Sequence, residues 1–238
     1  MTRAAPTRLA TAILLVAASA AGAVDNPIPY PHPVITEMLY NPPPAGVGGG
    51  DANQDGDRSG VGDEFVELVN PHTKPIDVGG YSVSDDHPEV RYRLSFIIPA
   101  GTTLEPGQTL VIFNGYKMLD SMPGPYGDKR TRAAGPNPAF HGALVYSIKN
   151  ISGARAWANA GDMVVLRDPD GHAIDAVVWG RPDADVPEDV LRLQRVEPDT
   201  PMSYQRLGPW GIMLPHTDID GRFYSPGEVP TAIVPPAP

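Results

Sequence analysis

Short apolar runs cut at close spacing by glycine and proline constrain this chain more than any other feature. Its 238 residues include 25 Gly and 29 Pro, spread without a collagen-like period. Proline fixes φ and removes a backbone donor, and glycine weakens helices, so long helices have no uninterrupted stretch in which to form. Between these breakers the sequence alternates with the period of a strand. Predicted strands are Val34–Tyr40, Glu64–Asn70, Ile76–Ser84 with a bend at Gly79-Gly80, Arg91–Ile98, Thr109–Phe113, Ala143–Ile148, Met163–Arg167, Ala173–Trp179 and Ser203–Leu207. Asp168-Pro169-Asp170-Gly171 has proline second and glycine fourth, as a type I turn between two of these strands requires. The faces of Glu64–Asn70, Val66 with Leu68 and Phe65 with Val69, are both apolar, so both sides of that strand are expected to be covered. A short helix is predicted near Pro187–Arg192, and residues 114–142 are predicted as an insertion loop carrying a basic cluster, Lys129-Arg130-Thr131-Arg132, on a solvated face. The pattern predicts an all-β fold: an antiparallel β-sandwich with long loops.

The two ends differ from this pattern. Arg3 and Arg8 precede the apolar stretch Leu9–Ala20, followed by Ala-x-Ala sites at Ala18–Ala20 and Ala21–Ala23. Residues 1–23 are therefore expected to be a secretory signal peptide cut after Ala23. A membrane anchor is the alternative, but the apolar run is short for crossing a bilayer. Residues 24–33 form a Pro-rich linker, 34–229 the sandwich domain and 230–238 a tail expected to be disordered. Losing the leader removes two Arg, so net charge moves from 18 − 28 = −10 to 16 − 28 = −12. A chain this acidic repels phosphate backbones, which argues against nucleic acid as a partner. It has no cysteine. Disulfides, zinc thiolates and thiol nucleophiles are thereby excluded, and the fold must be held by its core or by a metal.

Asp51–Asn70 (DANQDGDRSGVGDEFVELVN) is the best functional clue. Asp51, Asn53, Asp55, Asp57 and Ser59 place an oxygen at every second position around Gly56. Calcium takes six to eight oxygens in flexible geometry, and EF-hand loops supply them from positions 1, 3, 5, 7 and 9 with glycine at 6. Counting from Asp51, Asp57 would contribute its backbone carbonyl and Ser59 its hydroxyl or a bound water. The bidentate glutamate expected at position 12 is replaced by Gly62, so Asp63 or Glu64 must close the site. The alternative is a flexible acidic loop with no metal. Magnesium sheds water reluctantly and suits such a loop less well. Zinc and iron are not expected without cysteine or clustered histidine. Asp85-Asp86 and Asp218-x-Asp220-Gly221 are expected to be turn residues.

In order along the chain, ITEMLYNP (35–42), DEFVELVNP (63–71), IDVGGYSVSD (76–85), FIIPAGTTLEPGQTLVIF (96–113), GDMVVLRDPDGHAIDAVVW (161–179) and MSYQRL…YSPG (202–227) resemble the lamin tail domain family. The resemblance spans about 34–229 and implies an immunoglobulin-like sandwich used for binding or assembly rather than catalysis. It also implies the exported bacterial type, members of which often accompany hydrolases or nucleases. The acidic loop is absent from the lamins themselves, so its role is not inherited from them. The expectation is an exported, non-catalytic binding or cell-surface structural module stabilised by Ca2+. It would be secreted, periplasmic or surface-held, would have no membrane span after cleavage, and would contact a protein or a cell-envelope polymer. Two alternatives are an accessory domain of an extracellular hydrolase or nuclease, and a carbohydrate-binding module. The latter would use Trp157, Trp179, Trp210 or Tyr204 as a platform, although Trp179 ends a strand and suits a core. The histidines are scattered, and H-E-x-x-H, G-x-S-x-G and Walker-type motifs are missing.

Overall fold

A computed structural model describes residues 28–85, 94–128, 134–153, 157–181, 186–208 and 211–229. The expected leader (1–23), the tail (230–238), the basic cluster, Asp86 and Trp210 lie outside the described residues. The strands, in chain order, are β1 Val34–Leu39, β2 Phe65–Val69, β3 Ile76–Asp77, β4 Ser82–Ser84, β5 Ser95–Ile97, β6 Thr103–Leu104, β7 Thr109–Phe113, β8 Gly127–Asp128, β9 Pro136–Asn137, β10 Ala143–Ser147, β11 Asp162–Arg167, β12 Ala173–Trp179, β13 Arg192–Arg195, β14 Tyr204–Arg206 and β15 Met213–Pro215, followed by a short helix α1, His216–Asp220. One sheet runs β15-β14-β1-β2-β7-β10-β8 with β9 beside β10, a second runs β13-β12-β11-β4-β5, and β3 pairs with β6. The expected all-β sandwich is present.

Between the sheets lies the main core. Val66 and Leu68 of β2, Leu110 and Ile112 of β7, Val164 and Leu166 of β11, and Val177 and Trp179 of β12 all point into it. Their alternates face outward yet are also buried: Phe65, Val111 and Phe113 on one sheet, and Met163, Val165, Ala176 and Val178 on the other. Strands covered on both faces need apolar residues at every position, which is why β7 and β11 show so little alternation.

Several local expectations change. Ile76–Ser84 is two strands rather than one, because Gly80 adopts φ +86° and turns the chain between β3 and β4. The region near Pro187–Arg192 is a single turn, Val190 N–H to Pro187 carbonyl, and Arg192 already belongs to β13. β14 is not the last strand, since β15 pairs with it. The sandwich is mostly antiparallel, but β10 runs parallel to β7 and β13 runs parallel to β12. Parallel neighbours require a crossover connection of a dozen residues or more. Residues 114–142 are that crossover, and they fold into β8, β9 and a short 3-10 helix at Pro138–Phe140. Packing begins before β1: Ile28 is 2% exposed and belongs to the main core.

A β-bulge at Thr36 interrupts the β1–β2 register, where Ile35 faces Leu68 and Glu37 faces Glu67. Bulges leave backbone groups unpaired, and buried side chains satisfy them here. Asp175 of β12 accepts the Ile35 N–H at 3.0 Å, and Arg206 of β14 donates to the Ile35 carbonyl at 2.8 Å and to Asp175 at 3.2 Å. Gln205 donates to the Thr36 carbonyl and hydroxyl. This buried ion pair ties the two sheets together at the bulge.

Candidate metal centre

The loop before β2 is built from side chains that accept its own backbone N–H groups. Asp51 takes the N–H of Asp55 at 3.1 Å and of Gly56 at 3.0 Å. Asn53 Oδ1 takes the N–H of Asp55, and Asp55 Oδ1 that of Asp57, both at 2.9 Å. Such Asx turns are the local preference of Asp and Asn, and they curl the chain so that alternate side chains converge. Gly56 turns at φ +94°, a conformation that a side chain would strain. Ser59 Oγ accepts the Gly62 N–H at 2.8 Å. Asp63 closes the ring, accepting the N–H of Asn53 at 3.1 Å and of Ser59 at 2.6 Å.

Asp51, Asn53, Asp55, Ser59 and Asp63 are thus brought into one hydrogen-bonded loop, with Asp57 exposed on its rim. Glu64 is not. Successive residues of an extended chain point to opposite sides, and Glu64 turns inward. Its carboxyl accepts the Asn114 Nδ2 at 3.0 Å and the Trp157 N–H. Burial, with Asp162 and Asp63 nearby, pushes it well above the usual carboxylate range. Of the two candidates for closing the site, Asp63 has the position.

The loop is electronegative and partly dry. Burial raises Asp51, with the Asp55 charge adding to it. Burial pushes Asp63 up to about 7, and the Asp51 and Asp55 charges reinforce this against the two N–H bonds it accepts. Among the described residues, none of these three carboxylates is paired with Lys, Arg or His. The nearest cation in sequence, Arg58, turns away and donates to the carbonyls of Pro42 and Pro43. A carboxylate has about four lone-pair sites, and Asp51, Asp55 and Asp63 each spend two on N–H groups. An all-oxygen donor set with capacity to spare and uncompensated buried charge fits a hard cation such as calcium. Asn53 Nδ2, buried and without a partner, is the one donor atom there that a cation would not satisfy.

This loop also fastens the crossover. Asp55 Oδ2 accepts the Leu119 N–H at 2.7 Å, its carbonyl accepts the Ser121 hydroxyl, and Gln54 donates to the Ala139 carbonyl. Ala52 packs with Phe65, Phe113, Met122 and Phe140 over the outer face of the larger sheet. Tyr224, from the C-terminal segment, packs against the same cluster and accepts the Gly50 N–H. Burial and the Asp63 and Asp51 charges push its hydroxyl up to about 12.

Elsewhere, Asp168, Asp170 and His172 gather ligand atoms within 4.8 Å at the β11–β12 turn. Asp168 spends one oxygen on the Asp170 and His172 N–H groups, as the predicted turn requires. Asp85 accepts the Leu94 N–H, and Asp220 is held by Arg222. Sequence reading missed Ser203, His216 and Glu37, which come from three separate segments, and took Asp218 and Asp220 for turn residues where the structure has the short helix α1. Ser203 Oγ donates to Glu37 at 2.5 Å and lies 3.1 Å from His216 Nδ1, while His216 Nε2 is 3.4 Å from Asp220. Ser203 is 0% and His216 1% exposed, so this set is sealed from substrate. Trp157, Trp179 and Tyr204 are buried too, Trp179 being stacked on Tyr40 at 4.3 Å. These three form core rather than a carbohydrate platform.

No curated protein matches the chain. The sequence model of the Lamin Tail Domain matches residues 27–181, from just before Ile28 to the end of β12 and beyond. With more than half its length matched and the immunoglobulin-like sandwich in place, the chain belongs to the lamin tail domain family, whose members are binding and structural modules.

Proposed function

We propose that this protein is an exported, non-catalytic contact module whose loop 51–63 binds calcium as a structural clamp. One observation carries the calcium reading: Asp51, Asp55 and Asp63 are drawn together around one loop and, among the described residues, no cationic side chain pairs with them. A bound cation would offset that charge and fix β2 and the crossover together, because Asp63 leads into β2 and Asp55 holds Leu119 and Ser121. Export is supported by the Arg3/Arg8 and Leu9–Ala20 pattern. Among the described residues no helix is long and apolar enough to cross a membrane. Contact with a protein or an envelope polymer is the role that suits a lamin-tail sandwich at a secreted, periplasmic or surface location. Isothermal titration of the mature protein with calcium tests the site. Heat of binding at one site, lost in Asp51→Asn, supports it; no binding in the millimolar range removes it.

A further inference from the structure

The outer face of the larger sheet is covered by two different materials. Around Phe65 and Phe113 the cover is apolar, supplied by the acidic loop and the crossover. Next to it, Glu37 of β1 and Glu67 of β2 stand directly opposite each other across the strands, both 0% exposed. Residues this close across a strand pair put their Cβ atoms about 4.5–5.5 Å apart, and like charges there repel.

Among the described residues, every donor to these two carboxyls comes from one stretch of chain, residues 203–229. Ser203 Oγ donates to Glu37 at 2.5 Å, and Ser225 donates its N–H at 3.0 Å and its hydroxyl at 3.4 Å. His216 Nδ1 lies 3.2 Å from Glu37. Gly227 N–H donates to Glu67 Oε2 at 2.5 Å, while Glu67 Oε1 is buried with no partner. Gly227 lies so close to the backbone of Phe140 that a Cβ would sit 2.3 Å from its carbonyl oxygen. The other charged groups facing the pair come from the same stretch: Glu228 bears on Glu67, and Asp220 faces His216. Arg222, on the same stretch, is taken up by Asp220 and Glu228, and His141 also faces Glu228 at 3.7 Å. Among the described residues neither carboxyl touches Lys or Arg.

We propose that Glu67, buried directly opposite Glu37, holds a proton, and that this proton latches the strap 216–229 onto the sheet. Losing it leaves Glu67 charged and buried against Glu37, with the Gly227 N–H as its donor. The strap then lifts, water reaches both carboxylates, and the β1–β2 face beneath is uncovered. Burial and the neighbouring Glu37 hold Glu67 well above the usual carboxylate range, the direction a latch proton needs. A group raised in the closed state stabilises that state below its open-state value and loses the effect as pH rises. Because closing takes up one proton, the open fraction should grow about tenfold per pH unit through the transition.

Hydrogen–deuterium exchange of the full mature protein tests this, with exchange times corrected for the intrinsic pH effect. Between pH 5 and pH 9, peptides covering 216–229 should lose protection relative to those covering β7 and β11. In Glu67→Gln, which has no proton to lose, the strap should keep its protection across the range. Strap protection that tracks the β7 and β11 peptides at every pH would overturn the latch. So would a Glu67→Gln protein with the wild-type pH dependence. Should that variant fail to fold, thermolysin cleavage of the wild-type strap decides alone: a rising rate with pH supports the latch and a flat rate refutes it.

Discussion

Asp51→Asn separates the calcium clamp from the ordinary hydrogen bonding of the loop. Asp51 is only partly buried, and its two bonds to the Asp55 and Gly56 N–H groups leave one oxygen acceptor in the Asn variant. Losing the exposed Gly56 bond costs about 0.5–1.5 kcal/mol. Relief of repulsion from Asp55 offsets part of that. Without calcium, then, the variant should melt no more than about 6 °C below wild type, at about 2–4 °C per kcal/mol for a domain of this size. The wild type should respond to calcium by a separate and measurable rise. Extracellular sites of this kind bind at about 10⁻⁴–10⁻³ M, so about 10 mM calcium stabilises by about 1.4–2.7 kcal/mol. That is a rise of about 3–11 °C by differential scanning calorimetry. In Asp51→Asn the calcium-dependent rise should disappear, and magnesium should not reproduce it in wild type. A wild-type melting curve that is the same in calcium and in chelator would refute the clamp. A full calcium response in Asp51→Asn would show that the loop oxygens are not the ligands.

Asp63→Asn should abolish the calcium response, whereas Glu64→Gln should leave it intact, since Glu64 is bonded to Asn114 on the other side of the chain; the same melting experiment reads both. Asp175→Ala should destabilise by about 3–5 kcal/mol in urea unfolding, because it strands the Arg206 guanidinium at 0% exposure and reopens the bulge at Ile35. Raising salt to about 1 M should barely change the wild-type contribution of that buried pair. At the acid end, Arg222 lowers Asp220 to about 2 and depresses Glu228. Carboxyls lowered in the folded state stabilise it above their unfolded value and lose that effect as pH falls. Strap protection should therefore weaken modestly below pH 4, and Arg222→Gln should remove this acid limb.

The β-sandwich was legible because each inter-sheet strand carries its own signal. Thr109–Phe113 and Ala173–Trp179 were bounded by Gly, Pro and Asp turn residues and form strands over those bounds. What escaped were pairings set by distant partners. β13 (Arg192–Arg195) has the sequence RLQR, with no apolar periodicity; it is a strand because β12 offers it a parallel edge. Residues 114–142 looked like an irregular insertion because a crossover has no periodicity of its own. Its composition does not record that β10 must return parallel to β7. The oxygen-rich loop was visible from its spacing, since Asx turns are local. The direction of Glu64 was not, because Asn114 and the Trp157 backbone are far away in sequence. The Glu37–Glu67 pair was invisible for the same reason: each looks like an ordinary polar position on an alternating strand until β1 and β2 are put in register and the C-terminal strap closes over them.

The acidic loop, the crossover and the strap meet over one face of one sheet, so none of them is independent of the others. Asp55 links the loop to the crossover through Leu119 and Ser121. Phe223 and Tyr224 link the strap to the loop: a Cβ on Gly48 would sit 2.5 Å from the Phe223 ring, and Tyr224 accepts the Gly50 N–H. Gly227 rests on Phe140, at the end of the crossover. A cation held by Asp51 and Asp63 would fix the backbone on which Phe223 and Tyr224 sit, and a closed strap would in turn hold the loop in its cation-binding shape. Linkage makes such an effect reciprocal: whatever calcium adds to strap closure, strap closure adds to calcium affinity. The two titratable devices then act in opposite directions with pH. On these two proposals, rising pH ionises Asp63 and would favour the cation, while the same rise would remove the latch proton from Glu67. The covered face would then be held most firmly at a pH where the loop binds a cation and the latch still keeps its proton.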